Sequence, residues 1–132
     1  MDAETKSRVC DRAANRCEYC RIHQQPYLIT FHVEHIVAHQ HHRGNDESNL
    51  ALACHFCNRH KGPNFAGLDS TTGELTRLSN PRTDTWNQHF RIQAGRVIGL
   101  TPVGRTTVYV LNMNRPDRVR VRIELEPETF LG

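Results

Sequence analysis

The pattern of apolar and polar positions predicts a helix followed by a strand at the start of the chain. Residues 3–16 place Val9 and Ala13 at helical spacing among charged residues, which predicts a helix. Residues 27–33, YLITFHV, are rich in β-branched and aromatic side chains and predict a strand. Between them the chain passes through a pair of cysteines.

A second strand and a short helix are predicted further along. Residues 37–48 hold a Gly-Asn turn, charges and several histidines, and predict an exposed loop. Residues 49–53 alternate apolar leucines and predict a short strand, while residues 55–61 predict a helix that ends at Gly62-Pro63. The order is therefore strand, long loop, strand and helix.

The pattern changes after Pro63, where we place the one boundary: residues 1–63 form a core and residues 64–132 a C-terminal extension. Residues 90–100 predict a hairpin around Ala94-Gly95. Thr101-Pro102 predicts the cap and first residue of a helix. Residues 117–126 alternate like a strand but are rich in helix-forming residues, and we favour a helix. The extension is thus predicted to be mixed α/β, and the whole fold α+β.

Composition indicates a small core and a basic second half. Of the 132 residues 37% are hydrophobic, and the mean hydropathy is −0.63, so something besides apolar burial is expected to hold the fold together. The formal net charge is +3. Arginine recurs at positions 77, 82, 91, 96, 105, 115, 118, 120 and 122, which predicts a surface that follows phosphates. Without an apolar run of membrane-spanning length or a signal peptide, we expect a cytoplasmic protein with no membrane partner.

Four of the five cysteines form two CxxC pairs, which predict a metal site. Cys17 and Cys20 are followed, after 33 intervening residues, by Cys54 and Cys57. Two such pairs can complete a tetrahedral Cys₄ zinc site, and its closed shell predicts a structural rather than a catalytic ion. Such a zinc ion would stabilise a thin core. The remaining Cys10 is interpreted as a small buried residue of the first helix.

Three residues of the central segment fit phosphodiester hydrolysis. His35 is the candidate general base, because imidazole is the usual proton acceptor at neutral pH. Mg²⁺ prefers oxygen ligands, which Glu34 and Asn58 can supply. The alternatives are a Glu34 that only orients His35, a His35 that is structural, and an Asn58 that lies on the helix surface.

By content and order, these motifs resemble the HNH endonucleases, the zinc-bearing branch of the ββα-metal (His-Me finger) nucleases. The resemblance implies a ββα finger stapled by a Cys₄ structural zinc, with His35 as base and Glu34 and Asn58 as ligands of a catalytic Mg²⁺ or Mn²⁺. It also implies that Asn49 braces the loop and orients the base. The NPR…W…HF stretch at residues 80–90 and GLTPVGR at residues 99–105 resemble the C-terminal extension of a bacterial group of small HNH proteins.

The resemblance implies a metal-dependent endonuclease that nicks or cleaves DNA and leaves 5′-phosphate and 3′-hydroxyl ends. Arg43, Arg59 and Lys61 are candidate phosphate contacts, with a solvated basic face as the equal alternative. Two other functions stay open at this point. One is a non-catalytic Cys₄ zinc module that binds nucleic acid, and the other is an RNA-directed nuclease or toxin on the same finger. The sequence gives no oligomeric state.

Overall fold

The computed structural model describes residues 2–41 and 43–125. Helix α1, Ala3–Arg12, begins at Asp2, whose side chain accepts a hydrogen bond of 2.7 Å from the backbone N–H of Thr5. The predicted helix was too long, because Ala14 and Asn15 take positive φ angles of 55° and 58° and turn the chain toward the first cysteine pair.

Strand β1 spans His32–His35 and begins later than the predicted 27–33. The Gln24 side chain accepts a hydrogen bond from the Phe31 N–H at 2.5 Å and donates to the Ile29 carbonyl at 3.0 Å. These bonds satisfy the backbone of the preceding segment locally, so it does not pair in the sheet.

The ββα unit is completed by strand β2, Leu50–Ala53, and helix α2, His55–Lys61. β1 and β2 are antiparallel, and Glu34 lies opposite Ala51. All four residues of β2 are buried, which places this strand in the middle of the core. α2 ends at Gly62, whose φ of 52° is the left-handed conformation that favours glycine.

In the part of the C-terminal extension that the structure describes, residues 64–125, there are two hairpins and three helices. Their bounds are β3 Ala66–Leu68, β4 Leu75–Arg77, α3 Trp86–His89, β5 Phe90–Gln93, β6 Arg96–Gly99, α4 Pro102–Val110 and α5 Pro116–Leu125. The pairs β3–β4 and β5–β6 are antiparallel. The predicted hairpin, the helix from Pro102 and the helical choice for the last run are confirmed; Glu126, the last residue of that run, lies outside the described residues. The α+β class is confirmed as well.

Two glycines of the GLTPVGR stretch lie where the backbone makes close contacts. A Cβ on Gly99 would lie 2.4 Å from the Arg105 nitrogen, and a Cβ on Gly104 would lie 2.1 Å from the His89 carbonyl oxygen. The first turn of α4 therefore packs directly on the β5–β6 hairpin, at a distance that only glycine allows. Thr101 caps this helix by accepting a hydrogen bond from the Gly104 N–H at 3.0 Å.

Contacts cross the boundary that we placed at residue 63. The Trp86 indole donates to the Tyr19 carbonyl at 2.9 Å, and the Arg122 side chain donates to the Cys20 carbonyl at 3.3 Å. The extension thus lies against the first cysteine pair. Among the helices of the described residues, none has the length and apolar character that crossing a bilayer requires.

Candidate functional site

The two CxxC pairs converge into one buried cluster. Cys17 and Cys20 lie in the turn after α1, while Cys54 is the N-cap of α2 and Cys57 lies in its first turn. The four sulfurs lie within 4.8 Å of one another, and the residues are at most 1% exposed. The backbone N–H groups of Cys20 and Cys57 point toward the first sulfur of their own pair, at 3.5 and 3.4 Å.

This cluster fits a structural zinc ion. A tetrahedral site with Zn–S bonds of about 2.3 Å requires sulfurs about 3.8 Å apart. The Cys20 and Cys54 sulfurs are 3.7 Å apart. All four donors are cysteine sulfurs in a closed interior, which suits zinc and leaves no position for substrate.

The end of β1 places Glu34 and His35 on opposite faces of the strand. Glu34 is 9% exposed and turned toward the interior, whereas His35 is half-buried and turned toward the loop. Adjacent strand residues alternate between faces, which agrees with the different burial of these two side chains. The candidate metal ligand is thus the more deeply buried of the two, and the candidate base is the more accessible one.

Glu34 carries a buried oxygen without a hydrogen-bond partner. Its Oε1 makes no hydrogen bond, and the nearest cation is the Lys61 ammonium at 3.9 Å. Burial raises the pKa of Glu34 to about 7, although Lys61 and the Tyr19 hydroxyl both favour the ionised form. Burial also lowers the pKa of Lys61, and the negative charge of Glu34 partly opposes this change. An orphaned carboxylate oxygen in a dry environment is a suitable ligand for a divalent cation.

The ring of His35 is held by Asn45, on the loop between β1 and β2. His35 Nε2 lies 2.6 Å from Asn45 Oδ1, so this ring nitrogen carries the proton and donates it to the amide oxygen. The ring also packs on His39, with centroids 4.3 Å apart. Asn45 was interpreted from the sequence only as part of the Gly-Asn turn. The sequence signal that could have identified Asn45 is its amide side chain on the loop that follows the candidate base.

Asn49 is buried immediately before β2 and joins the two ends of the loop. Its Oδ1 accepts from the Val37 N–H at 2.9 Å, and its Nδ2 donates to the carbonyls of Val37 and Gly44 at 2.8 and 2.9 Å. These bonds act on the backbone of the loop that carries Asn45. The imidazole itself is contacted by Asn45, so any effect of Asn49 on the base passes through the loop.

Helix α2 carries the remaining expected site residues. Asn58 is partly buried, three residues before Lys61, and side chains at that spacing lie on the same face of a helix. Lys61 is 1% exposed, and its ammonium meets Glu34 and donates to the His35 carbonyl at 3.3 Å. Lys61 therefore lies in the interior, whereas both its predicted role as a phosphate contact and the alternative of a solvated basic face require an exposed side chain. Arg43 and Arg59 are exposed, as a phosphate contact requires.

A family comparison covers this part of the chain. Residues 17–64 match the HNH endonuclease family. The match includes both cysteine pairs and the whole ββα unit, and the Cys₄ cluster is compatible with the zinc-bearing branch of the HNH family. No curated protein and no solved structure matched the chain.

Several arginines that the sequence analysis assigned to phosphates are instead buried beside the HNH-matched segment or paired with carboxylates. Arg118 and Arg122 are at most 1% exposed and lie beside the cysteine cluster. Others pair with carboxylates: Arg77 with Asp84, Arg82 with Glu18, and Arg105 with Asp69. The expectation that the arginine-rich half as a whole follows phosphates is therefore wrong. Regular spacing of arginine in a sequence cannot separate buried from exposed positions.

Proposed function

We propose that the protein is a metal-dependent HNH endonuclease that hydrolyses DNA phosphodiester bonds. The observation that carries this proposal is the contact between His35 Nε2 and Asn45 Oδ1 within the HNH-matched segment. This contact fixes one tautomer of the ring. It leaves Nδ1 as the nitrogen with a free lone pair, which is what a general base needs.

In the proposed reaction, His35 Nδ1 accepts a proton from the water that attacks phosphorus. Asn45 keeps the proton on Nε2 and holds the ring in place, and Asn49 holds the loop that carries Asn45. The positive charge that develops on the ring is stabilised by the amide oxygen of Asn45. Arg43 and Arg59 supply exposed cations for the phosphates on either side of the reacting group.

Glu34 and Asn58 are the residues that would hold a catalytic divalent cation. The orphaned Glu34 Oε1 and an amide oxygen are hard donors, which suit Mg²⁺ or Mn²⁺. When bound, such a cation supplies charge neutralisation at the phosphate and the leaving 3′-oxygen. Glu34 must be ionised to serve as ligand, and its raised pKa means that a proton competes with the cation. The Lys61 ammonium, 3.9 Å from Oε1, competes as well.

One observation favours a second function, a zinc module that binds nucleic acid without cleaving it. The Glu34 carboxylate is turned into the interior, away from the face on which His35 lies. A module of this kind would keep its affinity for DNA after His35→Ala and would cleave nothing with any divalent metal.

The decisive experiment incubates supercoiled plasmid with wild type and His35→Ala, in Mg²⁺, in Mn²⁺ or in EDTA. We expect wild-type cleavage that EDTA stops and His35→Ala lacks. The matched control is His32→Ala, an exposed histidine on the same strand, which should cleave like wild type. Parallel reactions with single-stranded DNA and structured RNA test the RNA-directed alternative. Wild type that binds plasmid but leaves it intact in both metals would refute the nuclease proposal.

A further inference from the structure

Helix α5 delivers a buried arginine to the cysteine cluster. Arg118 Nη1 lies 3.1 Å from the Cys57 sulfur and 3.9 Å from the Cys54 sulfur. Its Nη2 donates to the carbonyls of Leu111 and Asn112 at 2.6 and 2.9 Å. The side chain is 0% exposed, so its guanidinium bridges the turn between α4 and α5 to the second cysteine pair.

Arg122, one turn later on α5, contacts the first cysteine pair through that pair's backbone. Its Nε donates to the Cys20 carbonyl at 3.3 Å, and its two Nη atoms donate to the carbonyls of Gly95 and Met113 at 3.0 Å each. The Trp86 indole adds a bond to the Tyr19 carbonyl. The extension therefore contacts both cysteine pairs through side chains of α3 and α5.

The charge of Arg118 sets a condition on this packing. Its hydrogen-bond partners are sulfurs and backbone carbonyls, so the compensating charge has to come from the cysteines. A buried cation without a counter-charge destabilises a fold. Four thiolates around Zn²⁺ carry two negative charges in excess of the ion. Arg118 is therefore compensated when the cluster holds zinc.

We infer that zinc binding and the docking of α5 onto the HNH segment are coupled, with Arg118 as the residue that joins them. The zinc–thiolate centre is the counter-anion of Arg118, and the guanidinium in turn stabilises the charged centre and its geometry. Coupling of this kind is reciprocal: zinc strengthens docking, and docking strengthens zinc binding by the same factor. The inference does not depend on the nuclease proposal, because it concerns the zinc centre and the extension alone.

The first test measures zinc affinity of the full-length protein by competition with a chromophoric chelator. Arg118→Met should weaken zinc binding about 10- to 100-fold, the range found when partners of metal ligands are removed. The matched control is Arg120→Met, which removes an exposed arginine from the same helix and should bind zinc like wild type. The zinc affinity of Arg118→Lys, which keeps the charge, should lie between those of Arg118→Met and Arg120→Met. Zinc affinity of Arg118→Met within twofold of wild type would overturn the inference.

The second test uses the wild-type chain and does not rely on a variant that folds. Hydrogen exchange is followed while zinc is withdrawn stepwise, and the amides of α5 are compared with those of α4. We expect α5 to lose protection as zinc leaves, ahead of α4, together with a change in the fluorescence of Trp86. Loss of protection in α4 and α5 at the same zinc occupancy, or no loss in α5, would refute specific coupling.

Discussion

The Lys61 ammonium lies 3.9 Å from Glu34 Oε1, and both side chains are buried where α2 packs on β1. The same ammonium donates to the carbonyl of His35 at 3.3 Å. One lysine therefore contacts the two consecutive residues on which the proposed chemistry depends. Its ammonium is the positive charge beside the Glu34 carboxylate, to which a divalent metal would also bind.

Lys61→Met is expected to destabilise the protein at pH 8. Removal of the ammonium leaves the Glu34 carboxylate buried without a counter-charge, and broken buried pairs cost about 3–5 kcal/mol. We expect about 2 kcal/mol, because the 3.9 Å separation exceeds hydrogen-bond distance. Denaturant unfolding of the zinc-loaded wild type and Lys61→Met at pH 8 measures this loss of unfolding free energy.

Arg59→Met is the matched control, since it removes an exposed cation from the same helix and should change stability little. A double variant with Glu34→Gln separates charge from packing. In the Glu34→Gln background the cost of Lys61→Met should shrink. An equal cost in both backgrounds would mean that Lys61 stabilises the fold through packing and its bond to the His35 carbonyl, not through its charge beside Glu34.

The raised pKa of Glu34 predicts a pH-dependent loss of stability. Burial holds the folded-state pKa near 7, above the ordinary value of 4.5, so the folded protein binds this proton more tightly than the unfolded chain. The stabilisation is complete below about pH 4.5 and is lost as pH rises toward 7. The loss amounts to about 3 kcal/mol. Glu34→Gln lacks this titration, so its stability relative to wild type should rise by that amount between pH 4.5 and pH 8.

Unfolding free energies of wild type and Glu34→Gln at several pH values, with zinc present and other divalent metals absent, check this prediction. Glu74→Gln, at an exposed position, should follow the wild-type curve. Parallel curves for wild type and Glu34→Gln would show that folding does not shift the pKa of Glu34.

The elements that the sequence predicted best are those whose signals are local. Paired cysteines with turn geometry and the Thr101-Pro102 start of α4 each specify their own backbone, and the structure has both. Strand β1 was misplaced because its predicted start is rich in β-forming residues, while the nearby Gln24 side chain forms hydrogen bonds with that backbone. Propensity alone does not include such a bond.

Burial of charged side chains was not predictable. Lys61 and Arg118 have the same local sequence character as exposed Arg59 and Arg120, and only the tertiary packing of α2 and α5 distinguishes them. Charged residues are rarely buried unless paired, so sequence interpretation assigns them to the surface by default. The structure shows that these two exceptions lie at the candidate catalytic site and at the zinc centre.

Asn45→Ala is expected to lower kcat about 10- to 100-fold with little change in KM, because it frees the ring of His35 without removing a substrate contact. Asn45→Asp should shift the acidic limb of the pH–rate profile to higher pH, since a carboxylate beside Nε2 stabilises the protonated ring, which cannot act as a base. Plasmid nicking rates across pH 5–9 measure both effects.

Ser48→Ala serves as the control, because Ser48 is exposed on the same loop and bonds to Asp46 rather than to the ring. It should leave the pH–rate profile unchanged. An Asn45→Ala protein with wild-type kcat would show that the ring needs no support from the loop.

Asp69→Asn is expected to lower Tm by several degrees at neutral pH. Asp69 receives two hydrogen bonds of 2.9 Å from Arg105 and one from the Thr72 hydroxyl, which joins the β3–β4 turn to α4. Its hydrogen bonds from Arg105 hold the pKa of Asp69 well below the ordinary 3.8. The stabilisation is therefore present above about pH 3.8 and is lost as pH falls further, so the Tm difference between wild type and Asp69→Asn should narrow in acid. Glu4→Gln, which breaks an exposed pair with Arg8, should change Tm little at any pH, and a similar drop in both variants would contradict a specific role for Asp69.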